Sequence, residues 1–313
     1  MACGSEKKKL QLVFGDVTLG VHAENLSCIF SYQTGGPESL VINGKEWLYR
    51  TPRPTFWRAL TDNDRGSKFH IKSGMWLAAD LFMQSMAQKI EVDGKEIPMP
   101  IAPENNRYTG GETADTVKIT FVYETITVPA TKVWVSYEVK ADQTIRVEVH
   151  YEGKEGLPEL PVFGMRFIMP TKAASYEYEG LSGETYPDRM AGGKPGIYQI
   201  EGLPVTKYLV PQDCNVHMDT KWLKVIREEV GICFENTGEN FAFSCIPYTA
   251  EELENATHQE ELPPARRTVV SILGAVRGVG GIDSWGSDVE EEYHIDAQKD
   301  MDYSFVIRGV DTI

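Results

Sequence analysis

The chain has 313 residues, of which 42% are apolar and 25% charged, with a formal net charge of −15 and an isoelectric point near 4.9. Length and composition suit a folded globule with a large core and argue against intrinsic disorder. The acidic balance argues against nucleic acid or an anionic membrane surface as partner, because both select basic patches.

A neutral ligand or a protein partner fits better. The start, Met1 to Lys9, is charged without a following apolar h-region, and no apolar run approaches a membrane span, so a cytoplasmic location is expected. The five cysteines are odd in number, widely spaced and without a CxxC pair. That pattern predicts reduced thiols in strands, neither a disulfide framework nor a zinc site.

Residues 1–9 read as a flexible segment, and residues 10–313 as one domain. Short apolar or β-branched runs at 10–14, 17–22 and 26–32 open the chain as antiparallel sheet. Asn43-Gly44 marks a hairpin between 40–42 and 46–49. Pro52 and Pro54 then break the run and lead into Phe56-Trp57-Arg58-Ala59-Leu60-Thr61-Asp62-Asn63-Asp64. Here Trp57 is expected to pack, and Arg58 to pair with Asp62 or Asp64.

Ser73 is predicted to cap a helix reaching Gln88, because Ala79, Phe82, Met83, Met86 and Ile90 recur at spacings of three and four. Asp93-Gly94 is a turn, and the prolines at 98, 100 and 103 suit an extended connector. Period-two strands follow at 118–121, 132–139 and 144–151, with Val133, Val135, Tyr137 and Val139 on one face and Trp134, Ser136 and Glu138 on the other. Bulk on both faces predicts one layer of a sandwich whose outer face is partly covered.

Further strands are expected at 162–169, 222–227, 231–234, 241–245, 267–275, 290–295 and 303–308. Thr249-Ala250-Glu251-Glu252 is a capping box opening a short helix over 251–257. No repeat, low-complexity stretch or composition shift divides the chain. The fold class read from these elements is all-β, with one or two short helices.

Chemistry is harder to place. With 46 Asp and Glu, pairs found by eye are uninformative, and Asp62-Asn63-Asp64 lacks the Gly and distal Glu of a calcium loop. The six histidines show no HxxxH or HExxH spacing. His217 stands out only because it follows a polar turn, and its plain reading is a hydrogen-bonded loop histidine. No nucleophile elbow or Walker loop occurs, and the glycines at 278, 280 and 281 are expected to precede a strand, not a dinucleotide-binding helix. Trp285, just beyond them, reads as a plug over a sheet end or as an apolar platform for a ligand ring.

Four motifs taken together add more: residues 56–64, Glu184-Thr185-Tyr186-Pro187-Asp188-Arg189, Tyr208 through Pro211-Gln212-Asp213, and Gly280-Gly281-Ile282-Asp283-Ser284-Trp285. In this order, and across residues 10–310, the chain resembles the C-terminal domain of family-2 β-galactosidases, and looks like the separately encoded small chain of the two-chain bacterial enzymes. It departs from that pattern at Asp213-Cys214-Asn215, where the family commonly has Glu-Asn-Gly, and just before Glu184, where the loop is shortened. The departures leave the roles of loops 184–189 and 211–217 open.

The resemblance implies a large two-layer antiparallel supersandwich like that of galactose mutarotase, acting on β-galactosides such as lactose in company with a large subunit. It places the acid/base and nucleophile of a retaining glycosidase, about 5 Å apart, on that partner, together with the magnesium and sodium ions, so this chain supplies no catalytic residue and no metal ligand. Trp285 becomes part of the galactosyl subsite wall. Asp283 and Ser284 hold the loop's shape or touch the sugar. Two other readings are a stand-alone aldose mutarotase, for which no local motif nominates the histidine–carboxylate pair, and a galactoside-binding module working without a partner.

Overall fold

The structure, a computed structural model, describes residues 8–100, 111–283 and 286–311. Most of the expected strands form, and they assemble into three antiparallel sheets of ten, six and five strands. The ten-stranded sheet runs from the edge strand Pro195–Glu201 through Ser175–Leu181, Trp222–Arg227, Val230–Asn236, Met301–Asp311, Ile145–Tyr151, Lys132–Lys140, Thr116–Glu124 and Gln84–Val92 to Lys95–Ile97. Its C-terminal strand Met301–Asp311 pairs with Ile145–Tyr151 on one side and Val230–Asn236 on the other, so the last stretch of chain joins two halves made separately.

The second layer contains the other two sheets side by side. Residues 10–46 build most of the six-stranded sheet around the expected Asn43-Gly44 hairpin, where Asn43 takes φ +51°. Strands Arg53–Thr55, Val162–Met169, Val216–Thr220, Phe241–Ile246 and Thr268–Val276 build the five-stranded one. Tyr49 N donates to Ile168 O at 2.7 Å, joining the two.

Alternation explains how the layers meet. In Lys132–Lys140 the side chains of Val133, Val135, Tyr137 and Val139 are buried, whereas Trp134, Ser136 and Glu138 are half-buried on the outer face, as the period-two pattern requires. Phe30 of the six-stranded sheet lies 5.6 Å from Tyr137 of the ten-stranded sheet, and Phe167 of the five-stranded sheet lies 5.1 Å from Phe234 of the same large sheet. Such ring pairs contribute about 0.5–1.5 kcal/mol each beyond area burial. One contiguous apolar core runs through all three sheets.

Four cysteines are buried free thiols: Cys28 in the six-stranded sheet, Cys233 in the ten-stranded, Cys245 in the five-stranded, and Cys214 in a connecting loop. Cys3, with the rest of residues 1–7 of the expected flexible segment, lies outside the described residues.

Two of the expectations that fail concern the sheets and their neighbours. The helix over 73–88 does not form: Ser73 ends a short helix Phe69–Ser73 (α2), a 3-10 turn covers Gly74–Trp76, and Gln84–Val92 is a strand. Its ladder with Thr116–Glu124 supplies long-range backbone bonds that outweigh a local spacing of apolar residues, and the predicted stripe is split, with Ala79, Met83 and Ile90 buried while Phe82 and Met86 face solvent. The strand expected over 290–295 is a 3-10 turn at Glu291–Tyr293, with only Ile295 bridging to Leu160. Three consecutive glutamates, 290–292, disfavour a paired strand there. The capping-box helix is present as α3, Ala250–Asn255, with Thr249 and Glu252 bonded reciprocally.

Candidate functional site

Four loops, one from each of the motif segments, meet at an open cleft of about 420 Å³ beside the five-stranded sheet. The first loop brings Thr61, Asp62 and Asn63, the second Glu184, Tyr186 and Arg189, the third Tyr208, Gln212 and Asp213, and the fourth Val279 and Gly280.

Asp64 anchors the first loop. Thr61 caps the one-turn helix α1, Asp62–Gly66, in a reciprocal box with Asp64. The same carboxylate is buried between two arginines: Arg58 Nη1 reaches Oδ2 at 2.5 Å, and Arg277 Nη1 reaches Oδ1 at 3.3 Å. Burial opposes the ionised carboxyl, but the Arg58 guanidinium, helped by bonds from Thr61, outweighs it and holds Asp64 below the usual aspartate value. Arg277 is itself fully buried over the Phe69 ring and also pairs with Glu159 at 3.0 Å and with Asp288. The expected pairing of Arg58 with an acid of the 62–64 turn is thus realised at Asp64, and Trp57 is packed in the core against Phe69. Asp62 stays exposed, and Asn63 Nδ2 donates to Val279 O at 3.1 Å.

Asp188 fixes the glycine loop. Its Oδ1 accepts from Val279 N at 3.0 Å and its Oδ2 from Gly280 N at 2.6 Å. At Gly280 the exposed Arg189 guanidinium lies over the backbone, and a Cβ there would have to displace it. Further on, Gly286 takes φ +106° against the backbone of Gly66, where a Cβ would lie 2.7 Å from the carbonyl carbon. The described flanks of residues 284–285 are therefore braced on both sides.

The third loop is tied to the first two. Asp62 N donates to Gln212 Oε1 at 3.2 Å, and Tyr186 Oη donates to Asp213 Oδ2 at 2.8 Å. Asp213 keeps part of its surface in the cleft, yet burial lifts its carboxyl to about 6 against the opposing pull of Arg58 and the Tyr186 bond. Glu184 Oε2 accepts from Asn215 N at 2.6 Å and Thr206 Oγ1 at 2.9 Å. Asn215 takes φ +61°, the left-handed conformation that asparagine tolerates better than other side chains, which accounts for its standing where the resembled family has glycine.

His217 is not a loop histidine. It lies on strand Val216–Thr220, buried among Tyr176, Tyr178 and Phe243, with Nε2 at 3.1 Å from Asn215 Oδ1. Burial lowers its pKa to about 4, so at neutral pH the ring is uncharged.

Of the candidate ligand residues, Asp283 is exposed and closes its own loop, accepting from Ser287 N at 3.2 Å and Ser287 Oγ at 2.7 Å. Ser284 and Trp285 lie outside the described residues. The chain bends at Ile282 and Asp283 where a strand was expected. Among the described residues no group of three or more His, Cys, Asp or Glu is arranged to hold a metal ion, and no helix is long and apolar enough to cross a membrane.

Around this cleft Asp64 and Asp188 spend their oxygens on arginines and backbone amides, while Glu184 takes an amide and a hydroxyl and Asp213 a tyrosine hydroxyl, the work of braces. Sequence reasoning had the motifs but not these partnerships: Asp188 with Gly280, Arg277 with Asp64, and Tyr186 with Asp213 span up to 213 positions, and spacing carries no signal for them.

A family described as "Beta galactosidase small chain" matches residues 22–307. The chain is 60% identical over 311 residues to the β-galactosidase small subunit of Latilactobacillus sakei, covering 96% of this chain and 98% of that one. It is 33% identical to a β-galactosidase of Halalkalibacterium halodurans, covering 96% of this chain but only 28% of that protein's length. Among solved structures, a galactose 1-epimerase from Lactobacillus acidophilus NCFM superposes with a TM-score of 0.43 at 7% identity, over 95% of both chains.

Proposed function

Since the chain belongs to the β-galactosidase small-chain family, we propose that it is the small subunit of a two-chain β-galactosidase and completes the galactosyl-binding site of a large subunit. The observation that carries this reading is the convergence of four separate loops on one polar cleft whose carboxylates are engaged as braces. Such a site is built to present a rigid surface. The acid/base and nucleophile of a retaining mechanism, about 5 Å apart, belong to the partner, as do the magnesium and sodium ions. Acting on lactose-type galactosides in the cytoplasm, the complex hydrolyses the bond while this chain alone is folded and inactive.

Trp285 supplies the platform in this reading, with Asp283 holding the loop through Ser287. Stacking the apolar face of a galactose ring on an indole removes ~60–100 Å² of apolar surface from water, about 1.5–2.5 kcal/mol, or roughly a ten- to seventyfold change in affinity. The test is hydrolysis of a chromogenic galactoside by the small chain, the large chain and the mixture, repeated with Trp285→Ala. The mixture alone is expected to turn over substrate, and the variant to raise KM by about one to two orders of magnitude while lowering kcat less. Turnover by the isolated small chain at the rate of the mixture would remove the subunit reading, and a variant that unfolds while barely changing KM would make the indole a core plug.

A further inference from the structure

Beside the cleft, the turns that replace the expected helix leave an apolar face in solvent. Ile71, Leu77, Leu81, Phe82 and Met86 are between 45% and 70% exposed. The hairpin between Thr116–Glu124 and Lys132–Lys140 adds Ile126 and, at 77% exposure, Val128, whose backbone N meets Met75 Sδ at 3.4 Å. Gln84 pairs with Glu124, which draws Phe82 and Ile126 alongside each other at the same sheet end. Single exposed apolar side chains are ordinary, but a contiguous set marks a surface made to be covered.

The position of this face says what covers it. Helices α1 and α2 connect it directly to the cleft: Asp62 and Asn63 line the cleft, and Ile71 begins the face. Gly66 packs on Gly286, and Lys72 Nζ bonds Asp288 Oδ2 at 2.8 Å, so the face also abuts the far flank of the Trp285 loop. In the single-chain relative from H. halodurans, this chain corresponds to 28% of the length, which leaves most of an enzyme to be accommodated by surfaces such as this one. The rim carries three cations, of which Arg65 pairs with Asp62 at 3.3 Å and Lys72 with Asp288 at 2.8 Å, so exposed Lys68 is the one turned to a partner in a chain whose net charge is −15.

We propose that this face, Ile71 to Met86 with Ile126 and Val128, is the seat of the large chain, which meets it with an apolar patch that places an acidic side chain opposite Lys68. The proposal rests on the small-subunit reading and adds the surface to it. A partner seated here lies next to the cleft and can carry its catalytic groups to it without passing over the outer face of the ten-stranded sheet.

The experiment uses the full chain and purified large chain. Leu81→Asp and Phe82→Asp are compared with Ile197→Asp, a change at a 61% exposed position on the edge strand Pro195–Glu201, far along the ten-stranded sheet. Association is followed by calorimetry and by galactosidase activity as the small chain is titrated onto a fixed amount of large chain. The face variants are expected to raise Kd at least tenfold and to recover the wild-type maximum rate, within twofold, once saturating, and Ile197→Asp to leave Kd unchanged. Lys68→Glu, at an exposed rim position that carries no packing, is expected to weaken association more at low salt than at high salt.

Wild-type affinity in the Asp variants and in Lys68→Glu overturns the proposal while leaving the subunit reading intact. Loss of a dimer of the small chain with itself, with the two-chain complex unaffected, also overturns it and assigns the face to a second copy. Failure of the wild-type chains to associate at any concentration fails the subunit reading itself and the proposal with it.

Discussion

Asp188 grips Gly280: its Oδ2 accepts the backbone N–H of that glycine at 2.6 Å while Oδ1 takes the preceding amide, that of Val279. A carboxylate receiving two successive backbone amides fixes the direction of the loop that leaves them. Bonds of this charge-assisted kind are worth about 1.5–3 kcal/mol each. Asp188→Ala is therefore expected to lower kcat/KM of the two-chain complex by roughly ten- to a hundredfold, with a smaller loss for Asp188→Asn, which keeps one acceptor. Steady-state kinetics on the reconstituted complex measures this, and an unchanged kcat/KM in Asp188→Ala would mean the loop is held by other contacts.

Gly280 and Arg189 occupy the same space in turn, since a β-carbon on the glycine needs the guanidinium to leave. Gly280→Ala is expected to reduce activity of the complex more in the wild-type background than in Arg189→Ala, giving a coupling of about 0.5–3 kcal/mol in a double-mutant cycle. Additive losses would show that the alanine is accommodated by backbone movement instead.

Asp64 is the counter-charge to buried Arg58 and Arg277. Removing it by Asp64→Ala leaves those guanidinium groups without their shared anion, a change that costs about 3–5 kcal/mol in comparable buried pairs. Urea unfolding of the isolated chain tests it. A midpoint within experimental scatter of wild type would indicate that Glu159 and Asp288 suffice for both arginines.

The pH dependence of stability contains two opposed contributions. His217 has its pKa lowered from 6.5 to about 4, so its contribution is complete above 6.5 and is lost as pH falls towards 4. Asp213 has its pKa raised from 3.8 to about 6, so its contribution is complete below 3.8 and is lost as pH rises through 6. Between pH 4 and 6 the two slopes run against each other. Relative to wild type, Asp213→Asn is expected to gain stability as pH rises across that window, and His217→Gln to lose it. Thermal melts at half-unit intervals read both, and parallel profiles would show that neither group titrates in the folded chain as described. Asp64 and Asp288, both held below the ordinary aspartate value, add a loss on the acid side, below about pH 4.

Much of the fold was legible because it is written in period-two runs and turn dipeptides. The alternation of 132–139 and the Asn43-Gly44 hairpin are local signals, and both became the structure they describe. The 73–88 stretch misled for the converse reason: its spacing is local and helical, while the strand that forms there depends on a partner far along the chain, Glu124 opposite Gln84. At the cleft, Trp57 and Arg58 could be read as structural from their neighbours. Asp188, Arg277 and Tyr186 could not, because their partners arrive from distant parts of the chain. Asn215 shows the same limit differently: its departure from the family pattern is explained by a φ of +61°, which only a backbone can reveal.

Each sheet carries one shielded thiol, Cys28, Cys233 and Cys245 in turn, and Cys214 adds a fourth behind the cleft. Burial pushes every one of these thiols above its ordinary pKa, to about 12 at Cys214 and about 11 at Cys233, so neither access nor ionisation favours reaction in the closed fold. Alkylation at each position can proceed only at the rate at which its own layer opens. Single-cysteine versions of the chain are thus separate clocks, one for each sheet and one for the cleft loop, and docking of a partner should slow the clock nearest its seat before the others.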